Sequence, residues 1–334
     1  MSRSTRRIVL ASRPKGKPEL SDFETETTTL DDPGSGQVLV ETRFCSVDPY
    51  MRGILRGGKS YIDSVKVGGP IPGGSVGVVL DSNHPDFNVD DPVLGGWGWA
   101  EAAVVEGDSL TPVDTDIAPM SAWLGVMGMP GMTAYFGLLE VGRPRPGDRV
   151  FITGAAGAVG STVGQIARLA GCRVSGCAGT DEKVRVITDE LGFDDAFNYK
   201  TADDPLRAIR QVCPDGVDLF FDNTGGPFSD AVFPQLNERA RVVVCGQIDQ
   251  YNATDTPTGP RLLWHLIVKR VRAEGLLVFD YQDRYDEARR RIGQWIKQGK
   301  LTWRETVVEG LEKTPEAFIG LFDGDNIGKQ VVKV

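Results

Sequence analysis

The sequence predicts an α/β protein in which a doubly wound parallel sheet is inserted into a β-rich domain. Three observations predict it. The stretch before Ser121 is rich in Gly, Pro, Val and Asp and carries short strand-like runs between turn signals. From Ser121 onward strand-like and helix-like stretches alternate, which is the pattern of a parallel sheet with crossover helices. The last stretch returns to strand-like runs. At about 100–200 residues per domain, a chain of 334 residues suggests two domains. The expected division is 1–125 with 304–334 for the β-rich domain and 126–303 for the inserted one.

Taken in order, Gln37–Glu41, Ser75–Leu80 and Glu101–Glu106 read as strands, punctuated by Asp32-Pro33-Gly34, Gly68-Gly69-Pro70 and Asp91-Pro92. They suggest a partly open barrel. Arg149–Thr153 reads as a buried strand, and Val159–Ala170 has helical apolar spacing. Arg173–Cys177 is a second strand, Asp181–Leu191 a charged amphipathic helix, and Val217–Asp222 and Ala240–Gly246 further strands. Thr306–Val308 and Gln330–Val334 would fold back onto the first domain, which is why the parallel sheet reads as an insertion.

Composition excludes several classes. Lys plus Arg is 37 against 46 Asp plus Glu, a net charge of −9, so nothing favours binding to nucleic acid. The N-terminal stretch is basic but lacks the apolar core of a signal peptide, and no run of about 18 apolar residues suits a membrane. Five scattered cysteines fit reduced thiols in a cytoplasm better than a disulfide framework.

The first strand of the inserted sheet runs into Gly154-Ala155-Ala156-Gly157-Ala158-Val159-Gly160 and then a helix. This is the strand–turn–helix context of a dinucleotide site, with Ala155, Gly157, Ala158 and Val159 the candidate cofactor contacts. Gly157 would admit a pyrophosphate and Gly160 a closely packed helix, although Ala155 replaces the first fingerprint glycine. The second strand ends in small neutral residues up to Gly179, not in the acidic residue that holds the ribose of NAD. Lys183 follows one turn later and would suit a 2′-phosphate. On sequence alone Lys183 reads equally as a solvated helix residue, with Asp181 and Glu182 beside it.

Cys45, in Arg43-Phe44-Cys45-Ser46-Val47-Asp48, resembles the cysteine-ligand region of zinc alcohol dehydrogenases. A catalytic zinc needs three protein ligands. The chain has two histidines, His84 in a turn and His265 in an apolar run, and Pro72–Gly77 stands where those enzymes carry Gly-His-Glu. Cys45 therefore reads as a packed, inert thiol, and no metal is expected. Without a Lewis acid, alcohol oxidation is hard. Conjugate reduction is not, because the charge spreads over an enolate that hydrogen-bond donors stabilise.

Nearly the whole chain resembles the medium-chain dehydrogenase/reductase superfamily with its Rossmann and GroES-like domains. Within it the chain is similar to the zinc-free prostaglandin reductase/leukotriene B4 dehydrogenase group, which includes alkenal and curcumin reductases. The resemblance lies in Val47–Gly53 (VDPYMRG), Gly128–Gly137 (GMPGMTAYFG), Asp181-Glu182-Lys183, Phe197–Lys200 (FNYK), Phe221–Gly226 (FDNTGG) and Gly324–Lys329 (GDNIGK). It implies NADPH as cofactor. It also implies 2′-phosphate contacts from Lys183 and Tyr199, and cofactor contacts from Asn223, Asn326, Met129 and Thr133. Cys245 and Gly246 would lie beneath the nicotinamide, Tyr50 and Met51 on the substrate side, and Tyr251 would be the catalytic hydroxyl. From its loop position alone, Tyr251 reads as a surface tyrosine.

The expected activity is NADPH-dependent reduction of the C=C bond of an enone or enal. Two other readings stay open on the sequence: a quinone reductase of the same superfamily, and an NADPH-binding protein without turnover. The resemblance also implies a homodimer, with Arg261–Val271 and Glu274–Asp280 as its candidate contact.

Overall fold

A computed structural model describes residues 3–58 and 61–334. In chain order the first elements are β1 (Arg3–Leu10), β2 (Phe23–Leu30), β3 (Gln37–Ser46), α1 (Met51–Arg56), β4 (Ser75–Ser82), β5 (Pro92–Gly95), β6 (Ala102–Glu106) and β7 (Thr111–Pro112). There follow α2 (Met129–Phe136), β8 (Arg149–Ile152), α3 (Ala158–Leu169), β9 (Arg173–Ala178), α4 (Asp181–Arg185), β10 (Asp195–Asn198), α5 (Pro205–Val212), β11 (Val217–Asp222), α6 (Gly226–Asp230) and β12 (Leu236–Val244). The chain closes with α7 (Leu263–Lys269), β13 (Arg272–Gly275), α8 (Tyr285–Lys297), β14 (Glu305–Glu309), α9 (Thr314–Gly320) and β15 (Lys329–Lys333).

Two compact units result: 1–125 with 305–334, and 126–304. In the first, burial along β3 alternates through Val38, Val40 and Thr42, so one strand face packs inward. Strand β3 is central among the described residues. It pairs antiparallel with β4 along one side, and with β6 and then β15 along the other. The order is β14-β15-β3-β4-β5-β7, with β6 off that path, and β14 runs parallel to β15. The returning tail thus joins the sheet next to Cys45 and Ser46. The core beneath it gathers Phe23, Trp99 and Phe318, whose ring centroids lie 5.8–6.3 Å apart. The Trp99 indole donates to the Ser46 carbonyl at 2.9 Å. The hairpin β1–β2 forms its own two-stranded sheet, tied to the rest of the unit by isolated bridges from Arg7 to Ala100 and from Val9 to Pro70, and no sequence signal announced it.

The second unit holds a parallel sheet in the order β10-β9-β8-β11-β12-β13 among the described residues. Strands β8 and β11 are buried almost throughout, as expected of strands covered on both faces. Phe151, Phe220, Ile209 and Val242 share one core. Helix α3 lies close to the sheet because Gly160 and Gly164 lack side chains. A Cβ at Gly160 would stand 2.4 Å from the Gly154 carbonyl, and one at Gly164 would enter the Phe193 ring at 2.1 Å.

Local differences from the sequence reading have physical causes. The helix expected over Asp181–Leu191 is α-helical only to Arg185 and continues as a π-helical turn, Val186–Glu190. Strand β12 begins at Leu236, earlier than expected, because the polar Asn237–Arg239 stretch hides its period. It ends at Val244, so Cys245 and Gly246 lie just beyond it.

Candidate functional site

The glycine turn joins β8 to α3. Gly157 precedes the first helical residue and offers no side-chain cap. The N–H groups of Ala158 and Val159 therefore have no intrahelical acceptor. Ala155 is accommodated by Gly176 on the neighbouring strand, where a Cβ would stand 2.7 Å from the Ala155 methyl. Its N–H is bonded to the Cys177 carbonyl at 3.1 Å.

At the end of β9 the Thr180 hydroxyl caps α4 by accepting the Lys183 N–H at 3.2 Å. Asp181 accepts from the Asn198 amide at 2.8 Å, which ties this carboxylate to the end of β10. Lys183 is only 9% exposed, so the structure decides against the solvated-residue reading. Tyr199 packs over Gly179, where a Cβ would stand 3.2 Å from its hydroxyl and 3.3 Å from Lys200 Cε. Gly179, Lys183 and Tyr199 thus share one corner, and a larger residue at Gly179 would crowd it.

At the end of β11 the buried Asp222 organises the next turn. Its Oδ1 accepts from the Thr153 hydroxyl (2.7 Å), the Ser229 hydroxyl (2.7 Å) and the N–H groups of Thr224 and Gly225 (3.1 Å each). The Asn223 amide donates to the Thr153 carbonyl at 2.8 Å, stitching β11 to β8. The Asp222 carbonyl accepts from the N–H groups of Cys245 (2.8 Å) and Gly246 (3.1 Å). Sequence reasoning passed over Asp222 and Thr153. The available signal was a carboxylate closing an otherwise apolar strand, where parallel sheets place ligands.

Tyr251 is half-buried, which overturns the surface reading of its loop. Its hydroxyl accepts the Gln247 N–H at 3.2 Å and lies 3.3 Å from where a Gly246 Cβ would be. Burial raises its pKa, with the nearby Cys245 and Asp222 adding to it and the Gln247 N–H opposing. The thiol of Cys245 is pushed up to about 12, by burial first and the Asp222 charge second. Thr133, in α2, gives its hydroxyl to the Met129 carbonyl at 2.7 Å.

Tyr50, Met51 and Asn326 belong to the first unit. Tyr50 and Met51 open α1. Burial raises the Tyr50 pKa well above its ordinary value, and the Asp48 and Tyr61 charges add to it. Asn326 donates to the Gly328 carbonyl at 2.7 Å. Cys45 is buried with its thiol 3.4 Å from the Gly98 carbonyl, and burial pushes it up to about 12. Among the described residues no three His, Cys, Asp or Glu side chains group as a metal site. The residues present do not fit zinc. Nor is any described helix long and apolar enough to cross a membrane.

A parallel sheet whose strand β8 runs through a glycine turn into a helix, together with a separate mixed sheet in the other unit, is the architecture of a two-domain dehydrogenase. Residues 6–113 match the family profile described as the N-terminal domain of oxidoreductase, and 158–294 that described as zinc-binding dehydrogenase. The chain belongs to the medium-chain dehydrogenase/reductase family, in its zinc-free prostaglandin reductase and alkenal reductase group. It is 45% identical to the NADPH-dependent curcumin reductase of Escherichia coli, over 98% of this chain and 96% of that one. It is 43% identical to the NADP(+)-dependent 2-alkenal reductase of Nicotiana tabacum, over 99% and 98%. The solved structure of CurA from Vibrio vulnificus in complex with NADPH is similar with a TM-score of 0.93, at 44% identity over 98% and 99%.

Proposed function

We propose that this chain uses NADPH to reduce the carbon–carbon double bond of α,β-unsaturated aldehydes and ketones, without a metal. The observation that carries the reading is the Tyr251 hydroxyl held over Gly246 at the carboxyl end of the parallel sheet. Bound NADPH supplies a hydride to the β-carbon of the acceptor. A proton from solvent then reaches the α-carbon and completes the reduction, and the chain's own residues bind and orient the reactants. The N–H groups of Ala158 and Val159 bind the pyrophosphate, and the small residues Ala155 and Gly157 let it approach. Gly179, Lys183 and Tyr199 hold the 2′-phosphate, with Met129, Thr133, Asn223, Cys245, Gly246 and Asn326 as further cofactor contacts. Tyr50 and Met51 line the substrate side. Tyr251 donates a hydrogen bond to the enolate oxygen as charge develops there.

The test is NADPH consumption by the purified protein with a short alkenal, a long-chain enone and a quinone, repeated with NADH. Turnover of the alkenal and the enone, faster with NADPH, is expected. Oxidation with the quinone alone, or with none of the three, overturns the reading. Lys183→Ala should weaken NADPH binding about 10–100-fold, the loss of one charge-assisted contact, and leave NADH affinity near wild type. Equal losses for both cofactors would remove Lys183 from the 2′-phosphate.

A homodimer completes the proposal. Helix α7 packs on β12 and leads along the chain into β13 at the sheet edge, and it exposes Leu263 (70%), Trp264 (65%) and Ile267 (68%) on one side. An apolar helix face and an open edge strand are surfaces that a second copy would cover. Light scattering should give twice 36.2 kDa. Trp264→Asp with Ile267→Asp should return it to one chain's mass; a wild-type protein already at 36.2 kDa ends the idea. We also place the protein in the cytoplasm, on its scattered and mostly buried free thiols.

A further inference from the structure

A lysine without water around it is costly unless it is paired. Lys329 and Asp48 form such a pair in the first unit, their side chains 4% and 8% exposed. The Lys329 ammonium donates to Asp48 Oδ1 at 2.9 Å and to the Val47 carbonyl at 2.7 Å. The strand register brings them together: Val331 lies opposite Ser46, so Lys329, two residues earlier in β15, extends toward the stretch that leaves β3. Room for it comes from Gly125, where a Cβ would stand 3.2 Å from Lys329 Cβ and Cγ.

The pair is not needed to hold β15 in place. That strand is bonded to β3 on one side and β14 on the other. Buried ion pairs are in any case weak contributors to stability, since apolar replacements are often neutral or better. What a charged pair does that an apolar contact cannot is fix direction. Asp48 is the pivot of the turn into α1. Its carboxylate also accepts from the Ser46 hydroxyl, its carbonyl accepts the Met51 N–H at 3.0 Å, and its N–H lies 3.4 Å from Met51 Sδ. Met51 is further confined by Gly73, where a Cβ would stand 3.3 Å from the Met51 methyl. The Asp48 charge is also felt at the Tyr50 phenol, after burial.

We propose that Lys329 is a positioning residue for acceptor recognition: by clamping Val47 and Asp48 it aims the Tyr50–Met51 corner. This rests on the reading above that Tyr50 and Met51 line the substrate side. The Lys329 ammonium is buried and spent on Val47 and Asp48, so it acts through the turn.

The test compares wild type with Lys329→Met, Asp48→Asn and the double variant. Each is followed by thermal melting, fluorescence titration with NADPH, titration of the NADP⁺ complex with a long-chain enone, and kinetics with that enone and a short alkenal. Lys329→Met alone orphans a buried carboxylate and destabilises the fold, so the double variant, which leaves no unpaired charge, decides. It is expected to melt near wild type and to titrate with NADPH as wild type does. Its KM and dissociation constant for the long-chain enone should rise about tenfold or more, with a smaller change in kcat and a shifted ratio between the two acceptors. A folded double variant with wild-type constants for both acceptors overturns the inference alone, as does a parallel loss of NADPH binding. A wild-type protein that binds no enone overturns the reading of the site and this inference with it.

Discussion

Tyr251→Phe is expected to lower kcat by about two to three decades, the cost of one oxyanion donor, while NADPH still binds. The expectation follows from how the hydroxyl is held. Its loop is seated on the turn after β11, where the Asp249 N–H donates to the Thr224 carbonyl at 3.0 Å. Gly225 and Gly226 both have positive φ, +65° and +73°, and a Cβ at Gly226 would stand 2.1 Å from the Asp249 carboxylate. The loop thus rests directly on backbone, which leaves little freedom in the Tyr251 position. Accepting the Gln247 N–H polarises the phenol as a donor. Burial raises its pKa above the ordinary value near 10, so the donor form persists as pH rises. The rate should show no falling limb from this group below about pH 10. Steady-state kinetics with an alkenal and a separate NADPH titration check both points. An unchanged kcat removes Tyr251 from catalysis, and lost NADPH binding makes it structural.

Asp222→Ala is expected to cost about 3 kcal/mol or more of stability and to abolish tight NADPH binding. Four donors converge on one oxygen of this buried carboxylate, and the substitution leaves all of them facing protein. Two of those donors, the N–H groups of Thr224 and Gly225, shape the turn under Tyr251, and a third, Thr153, ends the strand that feeds the glycine turn. Stability and cofactor affinity should therefore fall together. Asp222→Asn keeps an acceptor oxygen and should lie between the two. Urea unfolding with a parallel NADPH titration measures it. An Ala variant with wild-type midpoint and affinity would show that the turns hold themselves.

Much of the fold was legible because its signals are local. Val217–Asp222 is an apolar run of strand length, and the Gly154–Gly160 turn carries its own strand and helix. The site was legible only in part. Whether Lys183 is solvated depends on burial that comes from elsewhere in the unit, and its own neighbours, Asp181 and Glu182, argued the other way. Tyr251 sits among polar residues, so nothing nearby in the chain shows that it is half-buried. Asp222 looks like the polar end of a strand until Thr153 and Ser229 are brought to it.

Taken alone, the order of residues determined the α/β class, the alternation that makes the parallel sheet, the turn suited to a pyrophosphate, and the shortage of histidines that leaves Cys45 without metal partners. Those properties depend on composition and on spacings within a few turns of chain. Only the tertiary structure decided which charged groups are buried and what they hold: Asp222 gathering donors from three segments, and Lys329 reaching Asp48 across most of the sequence. A buried charge is defined by what surrounds it, and its surroundings come from strands that are neighbours in the sheet and far apart along the chain.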